Sequence, residues 1–490
     1  MLSYLTIAKY LNGIRCFKRL WYEENIPEIA APTSLSQQRL LDQRAEVKDH
    51  AYHQFPEGLH ITTENSELAV QETENAMRRG ERCLFEAAFR LNGIFVRCAI
   101  IQKDKNGWRI IEIRASKRVK KEYYLSLALL KHVLDEQNIR VSATQLLLLN
   151  SESVYPELSN LFVIEDVTDT ASLIQKNVQY DLQSFEMILN REVAPNVLIG
   201  KNLCNLPHVC PFKARCWETV PKNSVFTIPR IRDPEATALA ENGIFHLPDL
   251  PTDFSLTPMQ NISVSSVLNN KPTINNRAIR QELAKLRYPI HFLDFEADRP
   301  TIPRFKGFTP YQEFPFQYSC HVLHRNGELT HHEYLHTDLT DSSLPLAKFL
   351  LSHISDRGSV VVYNAIFERG ILKQLAESFP EYAPALQSIA NRLWDQMVLL
   401  RKHYEHPDFC GSRSLKAVLP VLAPQLSYKH LDIQEGADAP AAWNLMLNAN
   451  SESEKQTWIK HLQAYCKMDT LAMVEIHSVL QKQSTHYAVE

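Results

Sequence analysis

Apolar and polar positions change their period several times along this chain, and each change marks an element. FEAAFRLNGIFVRCAII alternates on both sides of Asn92-Gly93, a pair that favours a tight turn, so a hairpin is expected there. WRIIEIRAS reads as a further strand and TQLLLLN as a buried one, while EYYLSLALLKHVLDEQN between them has apolar residues at helical spacing. With helical periodicity at its start, the region 1–220 reads as a mixed α/β domain. In residues 221–285, PEATALAENGIFHLPDLP has helical spacing broken by Asn242-Gly243 and then by prolines. Two short helices around a turn are expected, either as a connector or as a helix-hairpin-helix that offers backbone amides to phosphate. From 286 to 490 the pattern restarts with the apolar strand YPIHFLDFEA and a hairpin turning at Asn326-Gly327. A helix (LPLAKFLLSHI), a strand (SVVVYN), a helix (FERGILKQLAESF) and a long terminal helix containing AYCKMDTLAM follow. This order predicts a mixed sheet packed by helices.

Length and composition narrow the class. A chain of 490 residues exceeds what one hydrophobic core usually serves. With 44% hydrophobic and 22% charged residues the composition is that of a globular protein, and the net charge of -3 gives no overall basic signature. A polyanion partner would have to meet a local basic surface. The first 24 residues carry charges throughout and lack the apolar block and cleavage site of a signal peptide. No stretch reaches the ~18–20 apolar residues of a membrane span, so a cytoplasmic protein without membrane contact is expected. In that compartment nine cysteines point to metal ligation or burial and not to disulfides.

Three acidic elements stand out in the last 200 residues. Asp294 and Glu296 are two apart on a predicted strand and share a face, with Leu293 and Phe295 on the other. Roughly six acidic pairs at this spacing are expected by chance, but this one interrupts a very apolar strand, where a carboxylate is costly unless paired or bound to metal. A strand-end salt bridge is the structural alternative. Tyr465 and Asp469 lie one turn apart on a helical face, with Asp469 among Met468, Leu471, Ala472 and Met473. In YNAIFERGIL, Glu368 opens a helix just after Asn364, where an acid also serves as a dipole complement.

Together these elements resemble the DnaQ-like, or DEDD, exonucleases, which have an RNase H-like fold. Asp294 and Glu296 match the family's Asp-x-Glu strand. Asn364, Phe367 and Glu368 match Asn-x-x-Phe-Asp with glutamate for the last residue, and Tyr465 and Asp469 match the Tyr-x-x-x-Asp of the tyrosine branch. The segment GSRSLKAVLP (411–420) also agrees with the pattern. The resemblance implies 3′-to-5′ hydrolysis of phosphodiester bonds by two magnesium or manganese ions ~3.5–4 Å apart. Asp294 would bridge the ions, Glu296 and Asp469 would complete their coordination, and Tyr465 would orient the attacking water. The substitution at Glu368 loosens the expected hold on the second ion, and Asp395 in LWDQM is a reserve acid nearby.

Cys204, Cys210 and Cys216 recur at six-residue steps, with Cys16 far upstream. Four thiolates suit a [4Fe–4S] cluster or a tetrahedral zinc, and the absence of paired Cys-x-x-Cys knuckles favours iron–sulfur. Cys83, Cys98, Cys320, Cys410 and Cys466 are isolated and read as buried small hydrophobes. One early and three late cysteines around an α/β core resemble the CRISPR-associated RecB-like exonucleases, whose cluster staples the two ends of a PD-(D/E)xK domain. The whole chain is similar to a bacterial family in which a RecB-like nuclease is fused to an RNase H-like domain. Against the RecB-like pattern, however, Ala99 stands where an aspartate is needed, Glu112 is followed by Arg114 in place of lysine, and Leu130 replaces a glutamine. Arginine holds its protons too tightly to assist water activation, so this core reads as a degenerate nuclease. Lys117, Arg118, Lys120 and Lys121, with Arg114, form a basic run that either contacts phosphate or is a solvated loop. Asn364 is a further candidate contact to nucleic acid.

The expected function is therefore a 3′-5′ exonuclease acting on single-stranded ends, with DNA favoured over RNA. A nucleic-acid-binding protein without turnover, or an endonuclease or defence effector using the same acids, are the alternatives.

Overall fold

The computed structural model describes residues 4–486 as a mixed α/β chain that divides into two compact units. The first comprises residues up to Thr33, Arg39–Glu218 and Pro300–Gln312, and the second comprises Ser34–Gln38, Thr219–Arg299 and Glu313 onward. Among the described residues no helix is long and apolar enough to cross a membrane.

The first unit is built on six strands in sequential order: β1 (Leu59–His60), β2 (Cys83–Leu91), β3 (Ile94–Lys103), β4 (Trp108–Arg114), β5 (Val141–Leu149) and β6 (Phe162–Asp166). Asn92 and Gly93 both take positive φ, 42° and 82°, and close the β2–β3 hairpin as their turn chemistry requires. β4 and β5 run parallel, which needs a crossover, and the helix Lys121–Glu136 provides it. Alternation along β4 fills two cores: Ile110 joins Leu127, Leu130 and Val133 of that helix, whereas Ile111 and Ile113 join Val47, Ala51 and Ala99. Ile302 also lies in this second core, and hydrogen bonds fasten the segment around it. Tyr311 Oη donates to the Ala115 carbonyl at 2.5 Å, and Tyr155 N–H donates to the Phe308 carbonyl at 2.9 Å.

The second unit holds the pair β7 (Thr273–Ile274) and β13 (Tyr404–Glu405) and a five-stranded sheet. The sheet strands are β8 (Ile290–Asp298), β9 (Phe314–Leu323), β10 (Leu329–Leu335), β11 (Ser359–Val362) and β12 (Leu393–Asp395), in the order β10-β9-β8-β11-β12. β8, β9 and β10 are antiparallel, and β11 runs parallel to both β8 and β12. Leu293 and Phe295 pack with Leu346, Leu350, Ile371 and Leu375 of the helices Ser343–His353 and Ala365–Ser378. Phe292 and Val361 point the other way, against Met473 and Val474 of the helix Glu452–His486. The stretch 221–285, expected as a separate connector, instead belongs to this unit. Its helix Asn276–Leu283 packs against Glu452–His486, and its strand β7 pairs with β13.

Candidate metal centre

Strand alternation turns Leu293 (0% exposed) and Phe295 (2%) into the core and leaves Asp294 and Glu296 on the opposite face. There they meet Tyr465 and Asp469 from Glu452–His486. Asp294, Glu296 and Asp469 each bring a carboxylate oxygen into a group whose atoms all lie within 4.8 Å of one another. Glu296 and Asp469 are buried, and Asp294 is partly exposed. Burial is the main cause of raised pKa values in all three, and charge repulsion by Asp469 adds to it at Asp294 and Glu296. Asp469 is pushed up to about 6, held below the others by hydrogen bonds and by the Lys416 charge. Three clustered carboxylates, two of them buried, remain unfavourable beside one nearby ammonium, and a hard divalent cation on their oxygens relieves this. The donor set therefore fits magnesium or manganese.

Two residues near the trio carried no recognised signal in sequence. Tyr428 Oη donates to Asp469 Oδ1 at 2.5 Å. Lys416, within the segment 411–420, sits in the first turn of the Ser414-capped helix Leu415–Leu422. Its Nζ lies 3.3 Å from Tyr465 Oη and 5.6 and 5.2 Å from the ring centres of Tyr428 and Tyr465. Tyr465 itself is 3% exposed, and burial beside these acids raises its phenol strongly. Cys466 is buried, as expected of an isolated cysteine, but its Sγ donates to Asp294 Oδ2 at 3.6 Å.

Glu368 is not part of the trio. It is 2% exposed on Ala365–Ser378, its Oε2 has no hydrogen-bond partner among the described residues, and burial pushes its carboxyl up to about 8. Asp395 is occupied otherwise than as a reserve acid. Its carboxylate accepts the backbone N–H groups of Asn364 (3.3 Å), Ala365 (3.0 Å) and Val398 (3.2 Å), capping two helices at once. Asn364 is exposed and takes a left-handed conformation, φ 77°, at the head of Ala365–Ser378.

In the first unit, both carboxylate oxygens of Glu112 have protein partners. Its Oε1 accepts the Ala99 N–H at 3.1 Å, and its Oε2 pairs with Arg114 Nη1 at 3.1 Å. Arg114 also donates to Ser126 Oγ at 2.6 Å and lies 5.0 Å from the Tyr123 ring centre. Leu130 is fully buried. Lys117, Arg118, Lys120 and Lys121 are exposed, and Lys117 Nζ donates to the Pro310 carbonyl at 3.2 Å. Glu86, an acid that no motif in the sequence marks, bulges at φ 54° and accepts from Tyr52 Oη at 2.5 Å and Lys48 Nζ at 2.6 Å.

Cys16, Cys204, Cys210 and Cys216 all line one cavity, with Arg15, Lys18, Arg19 and Lys213 around them. Cys16 N-caps the helix Phe17–Asn25, Cys204 lies within Lys201–Asn205, and Cys216 ends Lys213–Cys216. Burial raises the Cys16 and Cys210 thiols and pushes Cys216 up to about 11, each with a smaller contribution from the neighbouring cysteines. Four convergent sulfurs beside cationic side chains fit an anionic thiolate-bound metal group. Of the five remaining cysteines, Cys83, Cys98, Cys320 and Cys466 are buried, and Cys410 is only partly so.

A family model described as a domain of unknown function (DUF2779) matches residues 291–414. That span holds Asp294, Glu296, Asn364 and Glu368 and stops short of Lys416, Tyr465 and Asp469. A solved structure described as the crystal structure of SSO0001 is 13% identical to this chain. The match covers 44% of this chain and 87% of that one, and its TM-score of 0.22 is too low to bear on the fold. No curated protein matches the chain.

Proposed function

We propose that the second unit is a metal-dependent 3′-5′ exonuclease of the DEDD type acting on single-stranded nucleic-acid ends, DNA in preference to RNA. The convergence of Asp294, Glu296 and Asp469 within 4.8 Å carries this reading, because acids drawn from a strand and a distant helix meet where burial penalises their charge. The sheet order β10-β9-β8-β11-β12, three antiparallel strands followed by two parallel ones, supports an RNase H-like fold. A divalent cation held by the three carboxylates would supply Lewis-acid stabilisation of charge on the scissile phosphate. Tyr428 fixes the Asp469 carboxylate through its hydroxyl, and Tyr465, one turn before Asp469, would orient the water that attacks phosphorus.

The first unit in this reading is a RecB-like domain that does not cut, because Ala99, Arg114 and Leu130 replace its aspartate, lysine and glutamine and Arg114 pairs with Glu112. Its four cysteines would hold a [4Fe–4S] cluster joining the start of the unit to residues 204–216. A single tetrahedral zinc with Zn–S bonds of about 2.3 Å needs sulfurs about 3.8 Å apart.

Oligonucleotides labelled at either end test the reading. Stepwise shortening of 5′-labelled single strands, with immediate mononucleotide release from 3′-labelled ones, is expected with Mn2+ and not with chelator. Internal cuts as the first products would place the enzyme among endonucleases instead.

A further inference from the structure

Away from the acidic centre, the first unit carries a surface that its own packing does not account for. Lys117, Arg118, Lys120 and Lys121 are four cations in five residues, all exposed, in a protein whose net charge is -3. Exposed cations elsewhere in the unit find acids: Arg78 pairs with Glu74, and Arg90 with Glu67. Among the described residues none of these four is paired with a carboxylate, the adjoining Glu122 included. Lys120 and Lys121 also stand at the start of the helix Lys121–Glu136, where its dipole disfavours cations. Repulsion and dipole together make the arrangement unfavourable for folding alone, and a bound polyanion relieves both.

Folding brings further groups to the run. Burial, and then the charges of Arg44, Lys120 and Arg15, hold the His208 imidazole below its usual range, so exposed Arg44 lies near Lys120 around one side chain. Two tyrosine rings stand among the cations. Arg114 and Lys120 approach the Tyr123 ring centre to 5.0 and 5.9 Å, and Lys117 approaches the Tyr311 ring centre to 6.0 Å. Both rings are half-buried and tied to adjoining residues, Tyr123 through Arg114 and Tyr311 through its hydrogen bond to the Ala115 carbonyl. Cations alone suit any polyanion. Flat rings add a surface for base faces, and an unpaired strand is the polyanion that offers those beside its phosphates.

We propose that this face of the first unit binds single-stranded nucleic acid, with Arg44, Lys117 and Lys120 on phosphates and Tyr123 and Tyr311 stacking bases. Binding here needs no metal ion and no turnover, and it stands whether or not the second unit cuts.

Full-length Asp294→Asn in chelator, titrated with a fluorescent oligothymidine of about 20 nucleotides and followed by anisotropy, reports binding without cutting. Each phosphate contact on a single strand contributes about -0.7 to the slope of log K against log salt, so three give about -2 between about 50 and 200 mM. Adding Lys117→Gln and Lys120→Gln should lessen the slope by about 1.4 and, at about 0.1 M salt, weaken binding about 25-fold. Lys117→Arg with Lys120→Arg should keep both, which separates charge from damage to the fold. Tyr123→Leu should weaken binding about 10-fold at an unchanged slope, because stacking releases no counterions. A glutamine double variant that binds like its parent, with the same slope, overturns the proposal. Poly-glutamate that displaces the strand as well as unlabelled oligothymidine does so too, because the surface would then take any polyanion. The expected binding in a protein whose wild type cuts no strand supports this surface and removes the nuclease reading alone. Cutting by wild type, with a parent whose binding ignores salt, removes this surface alone.

Discussion

Replacing Glu368 by glutamine should stabilise the metal-free protein, and by an amount that depends on pH. The side chain is 2% exposed, and burial raises its carboxyl from 4.5 to about 8. A carboxyl whose folded pKa lies above its unfolded value costs nothing well below 4.5. Its cost grows as pH rises from 4.5, because the unfolded chain ionises first, and levels off above about 8. At ~1.4 kcal/mol per pH unit the full cost is about 5 kcal/mol at pH 8.5 and under about 1 kcal/mol at pH 5. Glutamine keeps the shape and removes the titration, but its amide brings a constant penalty of about 1–3 kcal/mol if it finds no partner. That penalty cancels when two pH values are compared. The stability of Glu368→Gln relative to wild type should therefore improve by about 4 kcal/mol between pH 5 and pH 8.5. Urea unfolding in chelating buffer, followed by tryptophan fluorescence and far-ultraviolet circular dichroism, measures the difference directly. A relative stability that stays flat across this range would refute the assignment of Glu368 as a buried acid forced toward neutrality.

Three further outcomes follow from other parts of the molecule. Cys210→Ser should abolish absorption near ~400 nm in protein purified without oxygen and lower the stability of the first unit, whereas a colourless wild type containing zinc would replace the cluster by a single ion. Glu112→Gln breaks the pair with Arg114, whose side chain is 22% exposed, and should cost about 2 kcal/mol of first-unit stability with strand cutting unchanged, measured by thermal melting and oligonucleotide digestion. His477 is 3% exposed with its imidazole held down to about 4 by burial. Its folded pKa lies below the unfolded 6.5, so stability falls as pH drops from 6.5 toward 4, and His477→Leu should reduce that slope by about 1.4 kcal/mol per pH unit in denaturant titrations.

Local chemistry made much of this fold legible. Asn92-Gly93 and Asn326-Gly327 close hairpins because their backbone preferences act within two residues, and alternation in IHFLDFEAD places Asp294 and Glu296 on one face whatever packs there. Asp469 was readable because a helix interior surrounded by methionine and leucine is a costly place for an acid. What escaped depends on tertiary packing. Lys416 reaches the trio only once the helix Leu415–Leu422 docks on Glu452–His486, and Tyr428 only once its own turn, Tyr428–His430, folds against Asp469. Asp395 looks like a spare ligand until two helix N-termini claim it. Pro300–Gln312 follows directly on the acidic strand, yet Ile302 and Tyr311 pack with the first unit, and no periodicity in the segment announces that. The region 221–285 carries its own turn signals, yet its helix Asn276–Leu283 packs on Glu452–His486 and β7 pairs with β13, contacts no local pattern announces.

The central claim is that cutting depends on Asp294 and its partners. Mononucleotide release from single- and double-stranded DNA and RNA should be measured with Mg2+ or Mn2+ for wild type and Asp294→Asn side by side. The account predicts release from single-stranded ends by wild type and none by Asp294→Asn. Equal release by both proteins, or none by a folded wild type with either metal, would contradict it.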